Sequence, residues 1–131
     1  MGNGELKVLL VDDDDDIRSI GELALVRVGG MRTVLASSGA MALEVAAREQ
    51  PHVVLLDVMM PGMDGLTTFR RLREQPATAA IPVVFVTAKV QRHEVQRYLD
   101  LGAIGVIGKP FDPMTLPDEL RAIMARSRGE P

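Results

Sequence analysis

The 131 residues carry a net charge of −3, with 47% apolar and 25% charged side chains, the balance of an ordinary globular chain with room for one domain. There is no Cys and no Trp, only one Tyr and three Phe, which excludes disulfides, thiolate metal sites and a Cys nucleophile and leaves too few rings for a base-stacking platform. The acidic balance gives no basic footprint for nucleic acid or anionic lipid, and no apolar run approaches the ~20 residues that span a bilayer.

Short apolar runs alternate with longer amphipathic ones. Leu6 to Val11 reads as a strand, and Ile17, Ile20, Ala24 and Val28 then recur at helical spacing. Thr33 to Ala36 is a second strand. A helix over Ala40 to Glu49 is stopped by Pro51. Val53 to Leu56 is continuously apolar, as a strand buried on both faces requires. Asp64 is placed to cap a helix whose inner face carries Leu66, Phe69 and Leu72. Pro82 to Val86 is the fourth strand. A helix through Val95 and Leu99 ends at Gly102, and Ile104 to Ile107 is the fifth strand. Thr115 with Asp118 resembles a capping box, Pro117 falls in the first turn, and Leu116, Leu120 and Ile123 face inward. The tail from Arg126 is polar and is expected to fray. The sequence thus predicts one domain over residues 1–131, with a core from about 6 to 126 and tails at 1–5 and 127–131. The first five residues lack a signal peptide's basic and apolar segments, and a cytoplasmic location is expected.

Five strands alternating with five helices predict an α/β fold, a parallel sheet covered on both faces. Right-handed crossovers gather the strand C-termini on one edge, where doubly wound sheets bind ligands. The polar residues fall at that edge: Asp12 and Asp13 after the first strand, Asp57 after the third, Thr87 after the fourth and Lys109 after the fifth. Carboxylates gathered in a crevice stay ionised together only with a cation among them. Oxygen-only ligands on an open loop suit Mg²⁺. A carboxylate can form an aspartyl-phosphate, with a metal and a lysine offsetting charge on the transferred group and a threonine hydroxyl donating to it.

Four segments carry a family resemblance: Val8-Leu9-Leu10-Val11-Asp12-Asp13-Asp14, Leu55 to Gly65, Val86-Thr87-Ala88 and Gly108-Lys109-Pro110-Phe111. Together, in order and each at a strand end, they resemble the signatures of bacterial two-component response-regulator receiver domains, over about Leu6 to Arg126. The resemblance implies a flavodoxin-like, doubly wound five-stranded sheet in the order 2-1-3-4-5 with five helices. It implies that Asp57 accepts a phosphoryl group from a histidine kinase or histidine phosphotransfer protein. It further implies that Asp13, Asp57 and the Met59 backbone carbonyl ligate Mg²⁺, that Asp12 acts through a bound water, and that Thr87 and Lys109 meet the phosphoryl group. The Lys109–Pro110 bond is cis in many relatives, and X–Pro bonds are the ones where cis costs little. A downstream protein effector would dock on the fourth helix, last strand and fifth helix, here Arg92, Gln96, Val106 and Arg121. Val106 departs from the pattern, since many relatives carry Tyr or Phe there as a relay from the threonine.

Asp14, Asp15 and Asp16 read as a solvated helix N-terminus. An EF-hand starting at Asp12 would need Gly and Glu where Ile17 and Leu23 stand. His52 and His93 are isolated, the methionines read as packing, and Arg70, Arg71 and Arg73 read as the exposed face of one helix. Two other functions compete with the signalling switch. An Asp-nucleophile phosphohydrolase would need a general acid two residues after Asp57, where Met59 cannot transfer a proton. A pseudo-receiver would only bind a partner.

Overall fold

The computed structural model describes residues 6–129, so the segment 1–5 expected as a tail lies outside the described residues. Five parallel strands form one sheet in the order β2-β1-β3-β4-β5: β1 Lys7–Val11, β2 Arg32–Ala36, β3 Val53–Asp57, β4 Val83–Thr87 and β5 Gly105–Gly108. The helices are α1 Asp15–Leu23, α2 Gly39–Glu49, α3 Gly65–Glu74, α4 Arg92–Leu101 and α5 Leu116–Ser127. The fold class and strand order are those expected, with strand ends differing by one residue. The fifth helix runs through Arg126 to Ser127, beyond the point where polar sequence suggested fraying.

Alternation along the buried strands splits the core in two. Val8, Leu10, Val53, Leu55, Val84, Val86 and Ile107 point to the face covered by α1 and α5, where Leu25, Leu116, Leu120 and Ile123 meet them. Leu9, Val11, Val54, Leu56, Val83 and Phe85 belong to the opposite cluster with Ala42, Val45, Phe69, Leu72 and Tyr98 of α2, α3 and α4. β3 and β4 are buried at every position, which is why they read as unbroken apolar runs.

The helix starts show where local chemistry was and was not legible. Asp64 caps α3 by accepting from Thr67 N, as expected, and Asp14 and Ser38 cap α1 and α2 in the same way. The Thr115–Asp118 box does not form. Thr115 sits in a helical conformation with no side-chain cap bond, and its hydroxyl donates back to the Asp112 carbonyl. The capping box belongs instead to α4, between Gln91 and Glu94.

The first helical stretch departs most from expectation. After Leu23 the chain continues as a π-helical turn, Ala24–Val28. The wider turn changes which residues face inward. Gly21, Ala24 and Leu25 are buried, whereas Ile20 and Val28, two of the apolar residues that recur at helical spacing, are 43% and 46% exposed. Arg73 is also corrected. Its guanidinium lies 4.6 Å over the Phe69 ring and donates to the Ile81 carbonyl, so it packs against the protein and not on a free basic face.

Gly65 sets the path of the chain after β3. Its N–H donates to the Val58 carbonyl at 3.0 Å, and an added Cβ would run into the Asp57 carbonyl oxygen and stand 2.7 Å from Val58 Cα. Both obstacles are backbone and cannot turn aside. Gly65→Ala is therefore expected to destabilise the fold by about 1–3 kcal/mol, the cost of overpacking, read as a lower urea midpoint. An unchanged midpoint would show that the β3–α3 loop is free to shift.

Candidate functional site

The site lies at the C-terminal edge of the sheet, beside the switch point between β1 and β3, the strands whose connections leave toward opposite faces. Parallel register delivers its parts. Val11 pairs with Leu56, Asp57 with Val86, and Thr87 with Gly108. Asp12, Asp57, Thr87 and Lys109 therefore reach one edge from β1, β3, β4 and β5.

Asp12 and Asp57 are each only 2% exposed. Two buried carboxylates repel each other and are costly to desolvate. The Lys109 ammonium bridges them, 2.9 Å from Asp12 Oδ2 and 3.3 Å from Asp57 Oδ2. The remaining oxygens take backbone donors: Asp14 N–H donates to Asp12 Oδ1 at 2.9 Å and Met59 N–H to Asp57 Oδ1 at 3.2 Å. Asp57 Oδ2 has no hydrogen-bond partner; its contact with Lys109 is an ion pair whose geometry falls short of a hydrogen bond. Asp13 is exposed, yet Asp12, Asp13 and Asp57 each bring a carboxylate oxygen within 4.8 Å of the others. An orphaned buried carboxylate oxygen beside two further carboxylates is a donor set that fits a hard divalent cation.

Burial, and then the neighbouring Asp12 charge, push the Asp57 carboxyl above the usual carboxylate range, against the lowering pull of Lys109. Burial opposes the Lys109 charge, but Asp12 and Asp57 together hold its ammonium above the usual lysine range.

Thr87 is buried at the end of β4, where its Oγ1 accepts from Lys89 N–H at 3.1 Å and its carbonyl accepts from Lys109 N–H at 2.9 Å. The Lys109–Pro110 peptide is cis. Met59 projects outward, 71% exposed.

Arg18 escaped the sequence reading. It donates to the Asp12 carbonyl at 2.6 Å and pairs with Asp15. It thereby pins the turn that carries Asp12 and Asp13 and places a positive charge within a run of five acids. The signal was present, since Arg18 follows Asp15 by three residues, but it is an ordinary helix-surface spacing. Of the expected docking residues, Arg121 is exposed and also holds a neighbouring turn. It reaches the Gly29 carbonyl at the end of the π turn, beside α1, and pairs with Asp118. Val106 packs against the cluster that contains Phe85 and Tyr98.

Comparison with known proteins agrees with this geometry. The model of the response regulator receiver domain family matches residues 8–121. The chain is 38% identical over 119 residues to the transcriptional regulatory protein CseB of Streptomyces coelicolor, covering 91% of this chain and 49% of that protein. It is 36% identical over 125 residues to the DNA-binding response regulator MtrA of Mycolicibacterium smegmatis, covering 95% and 53%. Among solved structures, the chemotaxis protein CheY4 of Vibrio cholerae aligns with a TM-score of 0.81 at 31% identity, covering 91% of this chain and 98% of that one. The chain therefore belongs to the response regulator receiver domain family, the signalling domains of two-component systems. It spans about half the length of the curated relatives it matches, and no described helix is long and apolar enough to cross a membrane.

The Asp57 shift carries a stability consequence. The folded protein holds a proton on Asp57 at pH values where the unfolded chain has released it. Stability falls as pH rises from the usual carboxylate range through the raised folded value. Asp57→Asn removes that loss. In EDTA at neutral pH its urea midpoint is expected above that of the wild type, with the gap closing on acidification. A gap that persists or widens in acid would contradict the assignment.

Proposed function

We propose that the chain is a phosphoacceptor switch built as a single receiver domain. Asp57 takes the phosphoryl group of a phosphohistidine on a histidine kinase or histidine phosphotransfer protein. The observation that carries this reading is the orphaned Asp57 Oδ2, buried yet held 3.3 Å from Lys109 and beside Asp12 and Asp13. An acid so placed is poised for reaction rather than for a structural bond.

Asp57 Oδ attacks phosphorus, an O–P bond forms as the N–P bond breaks, and the departing imidazole nitrogen keeps the electron pair. Lys109 is positioned to offset the charge on the transferred group, and the Thr87 hydroxyl to donate to one of its oxygens. Asp13, Asp57 and the Met59 backbone carbonyl would hold Mg²⁺, with Asp12 reaching it through water; bound there, the ion supplies charge neutralisation for the transfer. Backbone donors from Asp14 and Met59 orient the two buried carboxylates. The domain turns over no substrate beyond its own acyl phosphate. Its output passes to a protein effector, with no nucleic acid or membrane bound directly, in a cytoplasmic setting. Met59 argues against a phosphohydrolase, because its outward thioether cannot serve as the general acid.

Incubation with acetyl phosphate and Mg²⁺ is expected to add one phosphoryl group by intact mass. The adduct should be lost in EDTA and in Asp57→Asn, and formed at a rate at least ~10-fold lower in Lys109→Met, in keeping with the loss of one charge-stabilising group. No adduct under any condition would favour a partner-binding pseudo-receiver.

A further inference from the structure

Three aromatic rings form a line on the sheet face covered by α3 and α4. Phe69 of α3 lies 5.4 Å from Phe85 of β4, and Phe85 lies 5.2 Å from Tyr98 of α4, centroid to centroid. Tyr98 is also the only buried residue of α4. By contrast α3 buries four residues, Gly65, Thr68, Phe69 and Leu72, and α5 buries five. Leu99 and Leu101 of α4 face solvent. The helix's capping bonds, the Gln91–Glu94 box and the Gly102 and Ala103 N–H groups returning to Leu99 and Tyr98, close the helix on itself without tying it to the sheet. Tyr98 is thus the one buried side chain that α4 sets against the core.

That ring stands on a cavity of ≈ 200 Å³ between the ends of β3 and β4 and the start of α4. Val58 and Thr87 line it from the sheet side, and Glu94, Arg97 and Tyr98 from the helix side. The Thr87 hydroxyl is the group on this wall that can serve both the site and the connection after β4. It now accepts from Lys89 N–H, which fixes the first residues of the β4–α4 connection. Its O–H remains free to donate to a phosphoryl oxygen on Asp57, and because the same oxygen holds Lys89 N–H, any shift of Thr87 toward that group is carried into the connection and the wall. Close-packed interiors answer such a change by discrete repacking, and the cavity gives the ring room to do so.

We propose that Tyr98 is the side chain that couples the phosphorylation state of Asp57 to the position of α4. It does so by repacking against Thr87 and Phe85 across this cavity. The inference rests on the phosphoacceptor reading above. It gives the chain a positioning residue on the helix in place of an aromatic at position 106, where Val106 packs into the same cluster.

The sequence supplies a native reporter, because Tyr98 is the only tyrosine and there is no tryptophan. Wild-type protein is treated with acetyl phosphate and Mg²⁺ while tyrosine emission, intact mass and amide hydrogen exchange over 92–101 are followed. Emission and exchange are expected to change in step with the adduct, with the same time constant, and to stay flat in Asp57→Asn. In Tyr98→Leu the adduct is expected to form at the wild-type level while the phosphorylation-dependent change over 92–101 is lost. An adduct in wild type with Tyr98 emission and α4 exchange unmoved would overturn the coupling alone, as would a wild-type-sized α4 response in Tyr98→Leu. Absence of the adduct in wild type would overturn the phosphoacceptor reading and the coupling with it. If circular dichroism shows that Tyr98→Leu does not fold, the wild-type emission decides the matter by itself.

Discussion

The Lys109 ammonium between two buried carboxylates is the interaction on which the rest of the structure depends. Asp12 and Asp57 are almost fully buried at the ends of adjacent strands, and without a cation between them both could not stay charged. Lys109 arrives from the far side of the sheet, from the loop after β5. The pair can be bridged only if β1, β3, β4 and β5 keep their register. The bridge is incomplete by construction: Asp57 Oδ2 accepts no hydrogen bond, and its carboxyl titrates high because burial and Asp12 outweigh the lysine. The proposed phosphoacceptor role gives that oxygen a use, and the local cost is one that a core buried on both sheet faces can sustain.

The parts of the molecule that were legible in the sequence are those governed by short-range rules. Runs such as Val53–Leu56 and Val83–Val86 announced strands buried on both faces. Asp64 announced a helix start, and chemistry-bearing residues at strand ends announced a common edge. The expected acids, threonine and lysine all lie at that edge, and the cis bond at Lys109–Pro110 is present.

What stayed hidden depends on contacts between segments distant in the chain, or on competition between equivalent local options. The π turn cannot be read from apolar spacing, since inserting one residue into a turn changes no residue type, only which side each one faces. The helical spacing from Ala24 to Val28 does not carry through the turn for that reason. Thr115 offered the same box pattern as Gln91, but a helical backbone conformation left its hydroxyl no N–H to accept from. Arg73 looked like a surface charge, but its guanidinium satisfies the carbonyl of Ile81, eight residues away, and Arg121 reaches the carbonyl of Gly29, ninety-two residues away. Tyr98 was overlooked because helical spacing pointed to Val95 and Leu99, whereas packing on Phe85 selects the ring between them.

The proposed switch requires Lys109 and a divalent cation to share one set of carboxylates. Calorimetric titration of Mg²⁺ tests it most directly, comparing wild type with Lys109→Met and Asp57→Asn. Removing the competing ammonium is expected to tighten Mg²⁺ binding by about 1 kcal/mol, roughly fivefold, and removing the Asp57 charge to weaken it. Binding that is unchanged or weaker in Lys109→Met, or undiminished in Asp57→Asn, would contradict the claim and place any cation away from this cluster.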